Sequence, residues 1–295
     1  MNKNDLILGG HIPLDKSWMM RMGFMDMLHD MTDTIEMLGV GVDDAGLCND
    51  LKALVAASSA WMAGMKHIPV GESGTLYRFL RFASWKLNRN TQLHKEKTLI
   101  TRPMCDDPNI VNLSVNELMT IDNHTSQWAS AAVLMGSTDK PMDIPCKLKV
   151  TFEARNHWLK RRLSGRCWDI RFDETLAGQA AAFIKALQNG SVKYTPHYAE
   201  EYPFARAFDL VTPGEAGKAW PSLAGHESNR ITAMEEALKE YDYNQTITSS
   251  DHRIVQAIAM KGAVEGRELR FGDSGCVAKS WPGFWQFLDF ATALN

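Results

Sequence analysis

The chain has 295 residues, of which 45% are hydrophobic, so it is long enough for two domains and apolar enough to fill two cores. A net charge of −3 without any lysine- or arginine-rich block excludes a nucleic-acid backbone as the main partner, because such binding needs clustered positive charge. Cys48, Cys105, Cys146, Cys167 and Cys276 are odd in number and lack CxxC spacing, so neither a disulfide framework nor a structural zinc site is expected. Reduced thiols fit a cytoplasmic protein. The apolar run Leu6–Leu8 is too short for the core of a signal peptide, and no later stretch approaches a membrane span.

Ser17 stands at an N-cap position before WMMRMGFMDMLHDM, apolar all round, which predicts a buried helix over 18–31. Residues 43–57 begin with acidic side chains and continue with Leu47, Leu51 and Leu54 at helical spacing. Further helices are predicted at 74–86, 126–135, 173–188, 230–240 and 252–262. Between them the runs Lys147–Phe152, Cys167–Phe172 and Thr246–Thr248 have strand composition. Alternating strands and helices predict an α/β or α+β class. Pro196 and Pro203 flank the loop TPHYAEEYP, the predicted crossover between domains.

Several short motifs pair a cation with hydroxyl or glycine residues at the start of helix-patterned runs, which aims backbone N–H groups and a fixed charge at a phosphate or carboxylate. In chain order they are Lys16-Ser17 with Arg21, Gly74-Thr75 with Arg78, Thr125-Ser126-Gln127, Glu227-Ser228-Asn229-Arg230, Asp251-His252-Arg253 and Ala278-Lys279-Ser280. In that order they resemble the enolpyruvyl transferases, closest to the EPSP synthases, in a shortened and divergent form. The resemblance spans almost the whole chain.

The resemblance implies transfer of the enolpyruvyl group from phosphoenolpyruvate to a hydroxyl of shikimate 3-phosphate, with release of phosphate and with neither metal nor cofactor. The partners implied are thus two small molecules, phosphoenolpyruvate and a phosphorylated cyclic alcohol. Lys16, Gly74, Gln127, Arg230, Arg253 and Lys279 take the family's phosphoenolpyruvate-binding positions. Ser17, Arg21, Thr125, Ser126 and His226 take the acceptor-binding positions. Glu227 holds the place of the acid/base carboxylate, and Lys16 and Glu200 complete the catalytic set. Glu200 is in register with an aspartate that deprotonates the acceptor, although ordinary surface glutamates account equally well for Glu200-Glu201.

The implied fold is a pair of similar domains of repeated βαβ-type units, an inside-out α/β barrel, with one domain formed by 1–14 plus 196–295 and the other by 15–195. The active site is expected in the cleft between them. Four departures from the family pattern stand out: Glu72 for asparagine, Thr98 for an arginine five residues before Pro103, His226 for lysine, and no counterpart of a serine–tyrosine contact to the acceptor. Lys95, Lys97 and Arg102 are the nearby cations. Arg155, Lys160, Arg161, Arg162 and Arg166 form either a solvated face or a substitute phosphate site. The departures leave two alternatives beside the main reading, a transferase with a different acceptor and an inactive ligand-binding relative.

Overall fold

The computed structural model describes residues 1–41, 46–136, 146–164, 170–225 and 229–294. Helix makes up 65% of the chain, and the sheet among the described residues has two parallel strands, so the class is mixed α/β with helix dominant. Two compact units are present, residues 14–171 in one and residues 1–13 with 172–295 in the other. The helix Glu174–Asn189 therefore belongs with the C-terminal part, although the sequence groups it with 15–195. Its partners explain this: it packs on the helices Lys3–Leu8, His252–Glu265 and Phe284–Ala293.

Within residues 14–171, the expected buried helix runs Lys16–Leu28. Its N-cap is Asp15, whose carboxylate accepts the Trp18 amide at 3.0 Å, so Lys16 is the first helical residue instead of lying just outside. The expected 43–57 helix runs Asn49–Met62, and residues 43–45 lie outside the described ones. Strand β1, His67–Gly71, leads through a tight turn into the helix Gly74–Lys86, which returns the chain to strand β2, Gln92–Lys95, parallel to β1. This is one βαβ unit. Repeated units and a barrel are not found among the described residues.

Lys147–Phe152, expected as a strand, is helical: Cys146–Leu148 is a 3-10 turn and Lys149–Ser164 an α-helix. Thr151, Phe152, Ala154, Trp158 and Arg161 are buried at helical spacing, facing the helices Lys16–Leu28 and Gln127–Leu134. A six-residue β-rich window cannot distinguish a strand from the start of such a helix. Of the Cys167–Phe172 run, residues 167–169 lie outside the described ones, and of Thr246–Thr248 one bridge remains, Ile247 to Phe271.

The helix Lys16–Leu28 buries Asp26 completely. Its carboxylate accepts from Arg161 Nη2 at 2.6 Å, Trp158 Nε1 at 2.6 Å and the Thr34 amide at 2.9 Å, and also from the Thr34 hydroxyl. One acid thereby ties three helical segments together. The unit of residues 1–13 and 172–295 is held differently, by an apolar core of Leu6, Phe183, Val255, Trp281 and Phe287 and a second around Tyr202, Met234, Ile247 and Ile258.

Removing Asp26 takes the 2.6 Å partner from the buried Arg161 guanidinium and leaves it the longer contact to Asp33 Oδ2 at 3.8 Å. Asp26→Ala should therefore destabilise its unit by about 3–5 kcal/mol, whereas Asp5→Ala at the exposed cap of Lys3–Leu8 should cost no more than about 1 kcal/mol, as urea unfolding would measure. Equal losses in both variants would refute the role given to Asp26.

Candidate anion-binding site

Ligands of parallel α/β units gather at the carboxyl ends of the strands, where helix N-termini point. In this chain that place is formed by the turn after β1, the start of the helix Gly74–Lys86 and the segment after β2, tied together by the Glu96 amide donating to the Gly71 carbonyl at 2.8 Å. Ser73 caps the helix, its hydroxyl accepting the Leu76 amide at 3.4 Å. Gly74 is the first helical residue. A Cβ there would lie 2.9 Å from Arg102 Nη1 and 3.1 Å from Arg78 Nη1, so two guanidinium groups occupy the space that a side chain would need.

Arg78 is buried, and its Nε donates to Asp122 Oδ2 at 2.8 Å while Nη1 donates to Gln127 Oε1 at 2.6 Å. Gln127 Nε2 in turn donates to Thr75 Oγ1 at 2.7 Å. Asp122 also accepts from Trp128 Nε1 at 2.9 Å and from the Cys105 amide at 2.8 Å. Burial pulls the Arg78 pKa below its ordinary value, Asp122 opposes that shift, and the neighbouring Arg102 adds to it. The Arg78 charge is thus matched by Asp122, while its Nη1 and that of Arg102 lie together over Gly74.

Of the nearby cations Lys95, Lys97 and Arg102, which the sequence left undecided, Arg102 has its guanidinium at Gly74. Its signal was the Arg102-Pro103-Met104 tripeptide itself, and Met104 Cε also lies 3.5 Å from the Gly74 Cβ position. Glu72, a carboxylate where the resemblance has asparagine, is paired: Thr98 Oγ1 donates to Oε1 at 2.6 Å and Lys97 Nζ lies 3.7 Å from Oε2.

The first motif is split between two environments. Lys16 Nζ lies 3.0 Å from Asp50, half-buried at the surface. Arg21 is buried and donates to Thr151 Oγ1 at 2.8 Å, to the Ser17 carbonyl at 2.7 Å and, at 3.5 Å, to Ser130 Oγ. Burial, opposed by Asp15, brings its pKa down to about 10, so it remains charged at neutral pH. Ser17 is exposed, and Thr125 and Ser126 are half-buried. Thr125 Oγ1 accepts the Gln127 amide at 3.4 Å, and Ser126, at the N-cap of Gln127–Leu134, makes no side-chain cap bond.

Comparison of the chain with protein-family models, with curated proteins and with solved structures found no match.

In the other unit Asp251 caps the helix His252–Glu265, accepting the Arg253 amide at 2.9 Å, and its second oxygen accepts Arg230 Nε at 2.8 Å. Arg230 and Asp251 are both buried, so the first cation of the Glu227–Arg230 motif is held by the acid of the Asp251–Arg253 motif. Arg253 Nη1 is buried and has no hydrogen-bond partner among the described residues. A guanidinium donor left so costs about 1–3 kcal/mol. The 3-10 segment Ser274–Lys279 packs on the same helix and ends in buried Lys279, and Gln256 Nε2 donates to Ser280 Oγ at 3.1 Å across that contact. The Cys276 thiol is pushed up to about 12 by burial and by Asp273 and Asp251, against the pull of Lys279.

His226 and Glu227 lie outside the described residues. Glu200 is exposed on the turn Ala199–Glu201, while its neighbour Glu201 is buried, accepting from the Tyr194 hydroxyl and from the amides of His197 at 2.5 Å and Tyr198 at 2.6 Å. Glu201 is thus committed to shaping this loop. Groups of three or more metal-ligating side chains do not occur among the described residues, and no described helix is long and apolar enough to cross a membrane.

Gly74→Ala should displace both guanidinium groups and weaken anion binding about tenfold or more, and loosening of the buried Arg78–Asp122 pair should outweigh the about 1 kcal/mol that alanine gains in helix propensity, so that thermal stability falls. Unchanged affinity for phosphoenolpyruvate in a tryptophan-fluorescence titration would remove Gly74 from the site.

Proposed function

We propose that the protein is an enolpyruvyl transferase that moves the 1-carboxyvinyl group of phosphoenolpyruvate onto a hydroxyl of shikimate 3-phosphate. The observation that carries this reading is the joining of two motifs far apart in sequence: Gln127 hydrogen-bonds both Thr75 and Arg78, so that Gly74-Thr75…Arg78 and Thr125-Ser126-Gln127 form one cluster. Arg102 adds a second guanidinium to that cluster. The Nη1 of Arg253, without a hydrogen-bond partner among the described residues and beside a helix start, with Lys279 on the adjoining segment, supports a second place for an anion. With this reading goes the family's architecture of repeated βαβ-type units.

In the proposed reaction a proton is added to the methylene carbon of phosphoenolpyruvate while the acceptor hydroxyl, giving up its own proton to a general base, attacks the neighbouring carbon, forming a tetrahedral intermediate. Loss of a proton from the new methyl group and of inorganic phosphate then restores the double bond in the product. Arg253 and Lys279 bind the donor carboxylate, and Glu227 carries the proton. Fixed cations suit this chemistry because the donor stays anionic throughout. Ser17, Thr125 and Ser126 offer hydroxyls to the acceptor's phosphate, with Arg21 behind them.

A transferase acting on a different phosphorylated cyclic alcohol is the second reading, favoured by Glu72, which adds a carboxylate beside the helix start where the family has a neutral amide. Incubation with phosphoenolpyruvate and shikimate 3-phosphate should release inorganic phosphate, and Glu227→Gln should slow release about 10²-fold or more with donor binding retained. Arg253→Ala and Lys279→Ala should each weaken donor binding by roughly 2–4 kcal/mol in folded protein. Donor binding without phosphate release would favour the second reading. Absence of donor binding altogether would overturn both.

A further inference from the structure

Glu72 and Thr98 are the two positions near the Gly74 helix at which this chain departs from the family pattern, and they touch each other, Thr98 Oγ1 donating to Glu72 Oε1 at 2.6 Å. Thr98 opens a single helical turn, Thr98–Thr101, whose C-cap is Arg102. The chain enters that turn through Lys97 at φ +45°, a left-handed conformation that costs a non-glycine residue energy and persists only where its surroundings impose it. Two tertiary contacts impose it here. Leu99 is fully buried, and Glu72 holds the Thr98 hydroxyl while its other oxygen faces Lys97 Nζ at 3.7 Å.

We propose that Glu72 and Thr98 form a brace between the ends of β1 and β2 that positions the guanidinium of Arg102 at the N-terminus of the helix Gly74–Lys86, and so sets the affinity of this place for a phosphorylated carboxylate. The identity of the anion rests on the enolpyruvyl reading, whereas the brace itself does not. The arrangement accounts for both departures together. A carboxylate beside an anion site is unfavourable alone, yet one that orders the turn leading to Arg102 and faces Lys97 serves the site. Glu72 and Thr98 act through Arg102 and are positioning residues.

Thr98→Val removes the hydroxyl at nearly constant shape and without change of charge, Thr98→Ser restores it, and Glu72→Gln keeps a carbonyl acceptor while removing the charge facing Lys97. Hydrogen exchange over residues 97–105 should quicken in Thr98→Val and return to the wild-type rate in Thr98→Ser. Titration with phosphoenolpyruvate and with inorganic phosphate should show about three- to tenfold weaker binding in Thr98→Val, the worth of one hydrogen bond, and Glu72→Gln should stay nearer to wild type. In an Arg102→Ala background Thr98→Val should have no further effect on affinity, because the brace works through that guanidinium. Wild-type exchange in Thr98→Val would overturn the proposal, as would additive losses in the double variant. Faster exchange in a protein that binds neither anion would sustain the brace as a structural device but overturn its role in affinity, and with it the enolpyruvyl reading.

Discussion

A guanidinium taken out of water must be met by acceptors, and the ion pair between Arg78 and Asp122 is where that demand organises the unit of residues 14–171. Asp122 is itself held at φ +50°, and the three donors it receives come from three separate segments: Arg78 from the helix after β1, Cys105 from the segment after β2, and Trp128 from the helix Gln127–Leu134. With Nε so engaged, Arg78 can extend Nη1 to Gln127 and past Gly74. The absence of a side chain at 74 is then a requirement of charge placement. At a φ that any residue adopts, glycine is needed here for the space it leaves.

A second regularity links the motifs to the helices that carry them. Asp15, Ser73, Asn229 and Asp251 each accept a backbone amide of the helix they precede, and each stands immediately before a motif glycine or cation, Lys16, Gly74, Arg230 or, one residue further on, Arg253. A cap fixes the direction in which the first turn leaves the chain, and so fixes where the first-turn side chains begin. Asp251 does more than cap. One oxygen orders its own helix and the other fixes Arg230 from the next motif upstream, so two segments read separately in the sequence share one carboxylate.

Helices were the legible part of this chain because caps and apolar periodicity are local signals. Gly74–Lys86 begins and ends where the spacing predicts, and Glu174–Asn189 follows its Asp173 cap and ends at Gly190 in the left-handed region. Strands were not legible. His67–Gly71 contains Pro69 and Gly71, and Gln92–Lys95 is almost wholly polar, so neither has the composition that marks a strand; their pairing depends on the intervening helix returning the chain. Site residues were visible as motif members, but partners such as Asp122 and Asp50 were not, since nothing in an isolated aspartate announces a cation 44 or 34 residues away.

The basic run on the helix Lys149–Ser164 shows why residue type alone cannot separate structural from binding cations. Arg161 is buried against Asp26 and is spent on the fold, Arg162 lies exposed with its guanidinium 5.4 Å from the Trp158 ring, and Lys160 faces solvent. Arg161 and Arg78 have the same chemistry: each is buried and each is paired with an aspartate. They differ in their surroundings. Around Asp26 the helices close over the pair, and the aspartate's other donors are a tryptophan N–H and a threonine, so the charge is balanced on the spot. Beside Arg78 a second guanidinium, that of Arg102, approaches a glycine at a helix N-terminus, where backbone N–H groups also point. The proposed anion site rests on that convergence of donors around Gly74 and not on residue type, since Arg78, like Arg161, is itself paired with an aspartate.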